Sequence, residues 1–163
     1  MNAPLGGIVV TIALTLAVGG CQRKSENEAV TIRGVTWTVE VVRDAEARAR
    51  GLSGRESLPT RHGMLFVFDR PEVQEFWMMG CRIPLDIAFI SADLRVLNVC
   101  TMQVESPRTL PNDYRRYASA GKVLYALEVE AGGLRAVGVQ AGDSVIFSPG
   151  LAPSAKGACL SGR

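Results

Sequence analysis

Six consecutive residues, Leu85-Asp86-Ile87-Ala88-Phe89-Ile90, constrain the fold more than any other stretch of this chain. Apart from Asp86 they are apolar on both faces of an extended strand. Such a strand belongs at the centre of a sheet whose two sides are both covered. Ser91-Ala92-Asp93-Leu94 reads as a turn, and residues 95–102 pair back onto the central strand as a hairpin.

The remaining elements are short. Residues 29–33 and 35–42 form two strands around Gly34. In the second, Val35, Trp37, Val39 and Val41 share one face and Thr36, Thr38 and Glu40 the other. Asp44 is placed to cap a helix over residues 45–50, which Gly51 ends. A buried strand over 64–68 is broken by Asp69-Arg70-Pro71. Residues 76–79 form another, set off from the central strand by Gly80 and Pro84. After a long polar connection over 103–121, containing Pro107 and Pro111, come a strand over 123–129 and a short helix over 131–137. An Ala141-Gly142-Asp143 turn leads into a last strand over 144–147. Seven or eight short strands with two short helices predict a mostly β, α+β domain, compact and barrel-like. The 163 residues, 47% of them hydrophobic, suffice for one such domain, spanning 29–149.

The start of the chain has a different character. Residues 5–18 carry no charge and are shorter than a membrane-spanning helix needs. They fit the apolar region of a secretory signal over 1–20, although Met1-Asn2-Ala3-Pro4 lacks the usual Lys or Arg. Val18-Gly19-Gly20-Cys21 resembles a bacterial lipobox, which implies acylation of Cys21 and a protein tethered to a membrane outside the cytoplasm. Gln22 is compatible with transit to the outer membrane. Residues 21–28 are a polar tether and residues 150–163 a loose tail. A formal charge of +2, with no basic run, gives no reason to expect a nucleic-acid partner.

Several motifs appear in a fixed order: Arg50-Gly51-Leu52, Gly63-Met64-Leu65-Phe66-Val67-Phe68, Phe76-Trp77-Met78, Ile83-Pro84-Leu85-Asp86-Ile87-Ala88-Phe89-Ile90, Tyr125-Ala126-Leu127-Glu128-Val129 and Gly142-Asp143. Together they resemble domain of unknown function family 192, over roughly residues 39–147. The resemblance implies the kind of domain and no activity. The family pattern reads Phe-Trp-Met-Lys-Asn-Thr before Ile-Pro-Leu, whereas this chain has Phe76-Trp77-Met78-Met79-Gly80-Cys81. A cation and an amide are thus replaced.

Asp86 is the sharpest candidate for chemistry, because an ionised carboxylate in an apolar strand is costly unless paired. It reads either as a tuned acid, base or ligand beside a cleft, or as a structural acceptor of backbone N–H groups near residues 80–83. Phe76 and Trp77 face opposite sides of their strand, so one can be core and the other line a pocket; an exposed Trp77 would suit a planar ligand. The hairpin brings Cys100 near Asp86, and a folded-back loop brings Cys81 towards Cys100, making this pair a disulfide candidate in an oxidising compartment. Cys159 would then be an odd thiol. The spacing of Cys81, Cys100, Asp86 and His62 matches no zinc pattern, and no cofactor motif is present. Tyr114 and Tyr117, beside Arg115 and Arg116, make the long connection a candidate pocket wall.

The sequence therefore predicts an extracytoplasmic, lipid-anchored binding or accessory module without a cofactor. Its small-molecule or envelope ligand would lie near Trp77, Cys81, Asp86 and Tyr117. Two alternatives stay open: a hydrolase-like or metal-dependent enzyme using Asp86 with Cys81 or Cys100, and a structural envelope protein.

Overall fold

A computed structural model describes residues 28–151. The segment expected to be a signal, Cys21 and Cys159 lie outside the described residues. The elements are β1 (Ala29–Ile32), β2 (Val35–Val42), α1 (Ala45–Arg50), β3 (His62–Glu72), β4 (Glu75–Phe76), β5 (Leu85–Ile90), β6 (Val96–Met102), β7 (Tyr117–Ala118), β8 (Val123–Glu130), α2 (Gly133–Ala136), β9 (Val145–Phe147) and a 3₁₀ turn (Pro149–Leu151).

Seven strands form one sheet in the order β6-β5-β8-β3-β2-β1-β9, and β4 pairs with β7 as a separate ribbon. All pairings are antiparallel except β2 with β3, whose crossover contains α1. The sheet curls until its two edge strands meet. Arg95 bridges Ser144, the Val96 N–H donates to the Asp143 carbonyl (3.0 Å), and the Val145 N–H donates to the Leu94 carbonyl (2.9 Å). The result is the barrel-like, mostly β domain that the sequence predicts. The nine strands exceed the expected seven or eight because the two-residue β7, within the long connection, is counted.

Local chemistry accounts for the turns. Arg33 and Gly34 both have positive φ (52° and 76°), the geometry of a two-residue type I′ hairpin loop between β1 and β2. Asp44 caps α1 by accepting from the Ala47 N–H at 2.8 Å. Gly51 ends the helix at φ 48°, ψ −134°, a conformation that L-residues avoid.

Both sheet faces are buried. On the concave face Val39, Leu65, Ala88, Ile90, Leu127, Val129 and Val145 pack with Trp37 and Leu134. On the opposite face Met64, Phe66, Leu85, Ile87, Phe89 and Met102 are covered by Leu52, Met78 and Tyr117. This explains β5, every residue of which is buried. Each large side chain so buried contributes about 1.5–3 kcal/mol. Leu151 also joins the concave core, at 4% exposure.

Candidate functional site

Asp86 points to the concave face and is 1% exposed. Its Oδ2 accepts from the Gly132 N–H (2.9 Å) and the Leu134 N–H (3.1 Å), and its Oδ1 accepts from the Thr101 hydroxyl (2.8 Å). The four-residue helix α2 has glycine at its N-cap and no side-chain cap of its own, so Asp86 supplies the cap from across the sheet. The backbone-acceptor reading of Asp86 is therefore the one realised. Its donors come from the start of α2 and not from residues 80–83. Asp86 touches a hollow it shares with Thr101, Arg135 and Gln140, but both its oxygens are engaged.

Cys100 is paired with Ile87, one register step from the Asp86–Thr101 pair. Successive side chains in a strand point to opposite faces. Cys100 and Cys81 both pack against the second core cluster, away from Asp86. The expected grouping of Asp86 with the two thiols is thereby corrected: they sit on opposite faces of the sheet. Cys81 and Cys100 are half-buried and carry no bond to one another. Burial, reinforced by the charge of Glu128, pushes the Cys81 thiol up to about 11.

A cleft of about 630 Å³ lies on the thiol-bearing face. Phe66, Phe68, Phe76 and Trp77 supply its aromatic wall. Arg48 and Arg50 of α1, Asp69, Arg70 and Glu72 of β3, and Glu75 supply its polar rim. The Phe76 ring meets Phe66 edge-on at 5.0 Å, Phe89 at 5.7 Å and Phe68 at 6.4 Å between centroids. Phe76 thus anchors in the core while Trp77, 40% exposed, faces solvent and the cleft. Phe76 and Trp77 thus both line the cleft, although alternation predicts opposite sides, and the paired strand covers only Glu75–Phe76.

At the cleft's base lies Glu128, a residue the sequence reading passes over as a site. It occupies the middle of β8, between Met64 of β3 and Ile87 of β5, and is 5% exposed. Burial lifts its pKa to about 8, with no charge or hydrogen bond offsetting the shift. Among the described residues no sealed side-chain polar atom lacks a partner. The Glu128 carboxyl, unpaired but part of the cleft lining, therefore opens onto that space. The signal was available: Glu128 interrupts an apolar strand just as Asp86 does.

The other candidates take supporting positions. Tyr117 is buried beside Phe76 in the β4–β7 ribbon, and its hydroxyl accepts from the Gln103 N–H (3.3 Å). It braces the long connection and does not line the cleft. From the same connection Arg116 lays its guanidinium over the Trp77 ring, 4.1 Å from the centroid. His62 is exposed at the start of β3, its Nδ1 within 3.0 Å of the Thr60 carbonyl oxygen. Gly80 has φ 73° and its carbonyl accepts from the Gly54 N–H (2.8 Å). A left-handed residue is needed there, which glycine and asparagine both tolerate. A Cβ at Gly80 would also run into the Ser53 Oγ, so any side chain here requires Ser53 to move.

Comparison with known proteins agrees with this architecture. A crystal structure of a protein of unknown function from Novosphingobium aromaticivorans is 32% identical, with TM-score 0.63, over 72% of this chain and 83% of that one. A Sinorhizobium meliloti structure described as "a putative transcription regulator" is 30% identical, with TM-score 0.63, over 74% of this chain and 92% of that one. No curated protein matches. The DUF192 family, described as an uncharacterized ACR, matches residues 28–147. The chain belongs to the DUF192 family.

Proposed function

We propose that this domain is a binding module whose small organic ligand occupies the aromatic cleft above Glu128, and that it works outside the cytoplasm on a lipidated Cys21. One observation carries the binding reading: an open cleft with four aromatic side chains in its wall and an unpaired, almost fully buried carboxyl at its base. Ligand pockets combine apolar walls with a few converging polar groups in this way. Leaving Glu128 unpaired costs free energy, which a ligand that meets the carboxyl recovers. The cleft also favours a ligand-binding role over a purely structural envelope protein.

An enzyme built on Asp86 and the thiols has less support. Asp86 caps α2 on the other face, and a thiol with its pKa near 11 is a poor nucleophile at neutral pH. The external location rests on the lipobox-like Val18-Gly19-Gly20-Cys21.

The test is a thermal-shift screen of a polar-metabolite and fragment library against the wild-type domain and Trp77→Ala. Hits that stabilise the wild type and lose at least tenfold in affinity on Trp77→Ala support the cleft. Hits indifferent to Trp77→Ala, or a screen without hits, count against it. For the anchor, mass spectrometry of protein from its native membrane should find Cys21 acylated and N-terminal; an intact Met1 would remove that part.

A further inference from the structure

We infer that the cleft is a site for an organic cation, an amine or quaternary ammonium group seated against the Phe66, Phe68, Phe76 and Trp77 rings with the Glu128 carboxylate as its counter-ion. The inference rests on the binding reading above and adds the charge class of the ligand.

The register places the rings around the carboxyl. Glu128 is paired with Met64, and Phe66 lies two residues further along β3 on the same face, its diagonal neighbour. That spacing is within reach of an aromatic side chain. Phe66 carries Phe76, and Phe76 carries Phe68. The carboxyl and three linked phenyl rings therefore form one continuous lining, with Trp77 at the mouth. Ring faces are the negative pole of the aromatic quadrupole and attract ammonium and guanidinium groups. In this molecule they already do so: the Arg116 guanidinium lies over Trp77, and that of Arg48 lies 5.6 Å from the Phe68 centroid.

The rim carries both signs, Arg48, Arg50 and Arg70 against Asp69, Glu72 and Glu75, with Arg116 over the Trp77 ring. Arg48 is held by the Val67 carbonyl and by Asp69, and Arg70 by Glu72. Arg50 and Glu75, of opposite sign, also line the cleft. From the remaining neighbours, Cys81 and Cys100 face this side of the sheet as half-buried thiols, while Met64 and Ile87 flank Glu128 directly. No basic side chain shifts Glu128. The floor charge is therefore available to a ligand. A cation entering the cleft pairs with the carboxylate, so the carboxyl must first lose its proton to solvent. Binding releases that proton, and the apparent affinity follows the ionised fraction of Glu128.

The experiment uses three probes of similar shape and different charge: benzylammonium, benzyl alcohol and phenylacetate. Each is titrated into the folded domain, followed by NMR shifts and tryptophan fluorescence. Benzylammonium should bind at least tenfold more tightly than benzyl alcohol at pH 8, with phenylacetate weakest. Its affinity should fall close to tenfold for each pH unit below about 8, where Glu128 takes up its proton. Glu128→Gln, which keeps the shape and removes the charge, should erase both the preference and the pH slope. If benzyl alcohol or phenylacetate binds as tightly as the amine, saturably and dependent on Trp77, the cation assignment falls and the binding reading stands. If no probe gives a saturable response up to about 50 mM, a range that covers even millimolar affinities, both fall. A preference for benzylammonium that survives unchanged in Glu128→Gln also overturns the assignment.

Discussion

Asp86 and Glu128 lie on adjacent strands one register step apart, since Asp86 pairs with Val129 and Glu128 with Ile87. The single step sends their carboxyls to opposite faces of the sheet. One is wrapped by two backbone N–H groups and a hydroxyl. The other has no partner among the described residues and opens onto a cleft. Two acids of the same apparent oddity in sequence thus hold opposite places in the molecule, one in its construction and one in its candidate chemistry.

Replacing Asp86 should therefore damage folding and spare binding. Asp86→Ala strands the Gly132 and Leu134 N–H groups and the Thr101 hydroxyl, and should cost about 3–5 kcal/mol, since each buried unmade bond costs about 1–3 kcal/mol. Asp86→Asn keeps one acceptor oxygen and should cost less, about 1–2 kcal/mol. Urea unfolding checks both. Probe affinity in the folded fraction of Asp86→Asn should match the wild type, and a selective loss of binding there would return Asp86 to the site.

Glu128 should make stability depend on pH in the direction opposite to an ordinary paired carboxylate. Its pKa is near 4.5 when unfolded and about 8 when folded, raised by burial. Between those values the folded state holds the extra proton. Its stabilisation is complete below about 4.5 and is lost as pH rises towards 8. Glu128→Gln should abolish this decline and be more stable than the wild type at pH 8 by about 2–4 kcal/mol, at 1.36 kcal/mol per pKa unit. Glu40 acts in a separate, more acidic window. Its two-pronged hydrogen bond to Arg55 (2.6 Å for each oxygen) lowers its pKa, and that contribution disappears as pH falls through the lowered value. Urea midpoints for wild type and Glu128→Gln across pH 5–9 test the point; parallel curves would contradict it.

The pattern of the chain announced much of this and concealed a specific part. Alternation in β2, the unbroken apolar run of β5 and the Asp44–Gly51 bracket around α1 are local signals, and the structure follows each. The resemblance to family 192 carried the overall domain. What escaped was register. From sequence, Cys100 lies near Asp86; only the exact pairing with Ile87 reveals that the two diverge. Asp86 was also expected to find its donors nearby in sequence, whereas they lie 46 and 48 residues away. Glu128 interrupts the apolar run of β8 as Asp86 interrupts that of β5, but which of the two finds a partner leaves no mark in a linear pattern. The extension of β3 through Pro71 to Glu72 was likewise hidden, because proline ends most strands but is accepted at a bulge such as the one β3 forms against β8.

Trp77 should matter to binding far more than to stability. It is 40% exposed, and its main described contact is the Arg116 guanidinium. An exposed cation–π contact contributes about 0.5–1 kcal/mol, so Trp77→Ala should lower stability by about 1 kcal/mol or less. The same change removes an aromatic wall of the cleft and should weaken any ligand seated there at least tenfold. Phe76→Ala provides the contrast. That ring touches Phe66, Phe68 and Phe89, and its loss should cost about 3 kcal/mol or more. Thermal melts and titrations on the two variants separate the roles, and a large melting shift on Trp77→Ala would assign it to the core instead.

Cys81 should prove a sluggish thiol. Its pKa is pushed from an ordinary value near 9 to about 11 by burial first and by the Glu128 charge second. Alkylation proceeds through the thiolate, and a rise of two units lowers the thiolate fraction about 100-fold. Iodoacetamide labelling at pH 8, followed by peptide mass spectrometry, should show Cys81 reacting about 100-fold more slowly in the folded domain than in urea. Glu128→Gln should recover only a small part of that rate, because burial is the larger cause and remains. If Cys81 labels in the folded protein as fast as in the unfolded chain, the thiol is not desolvated as the packing around it requires. Cys81 would then stand as a competent nucleophile on this face of the sheet.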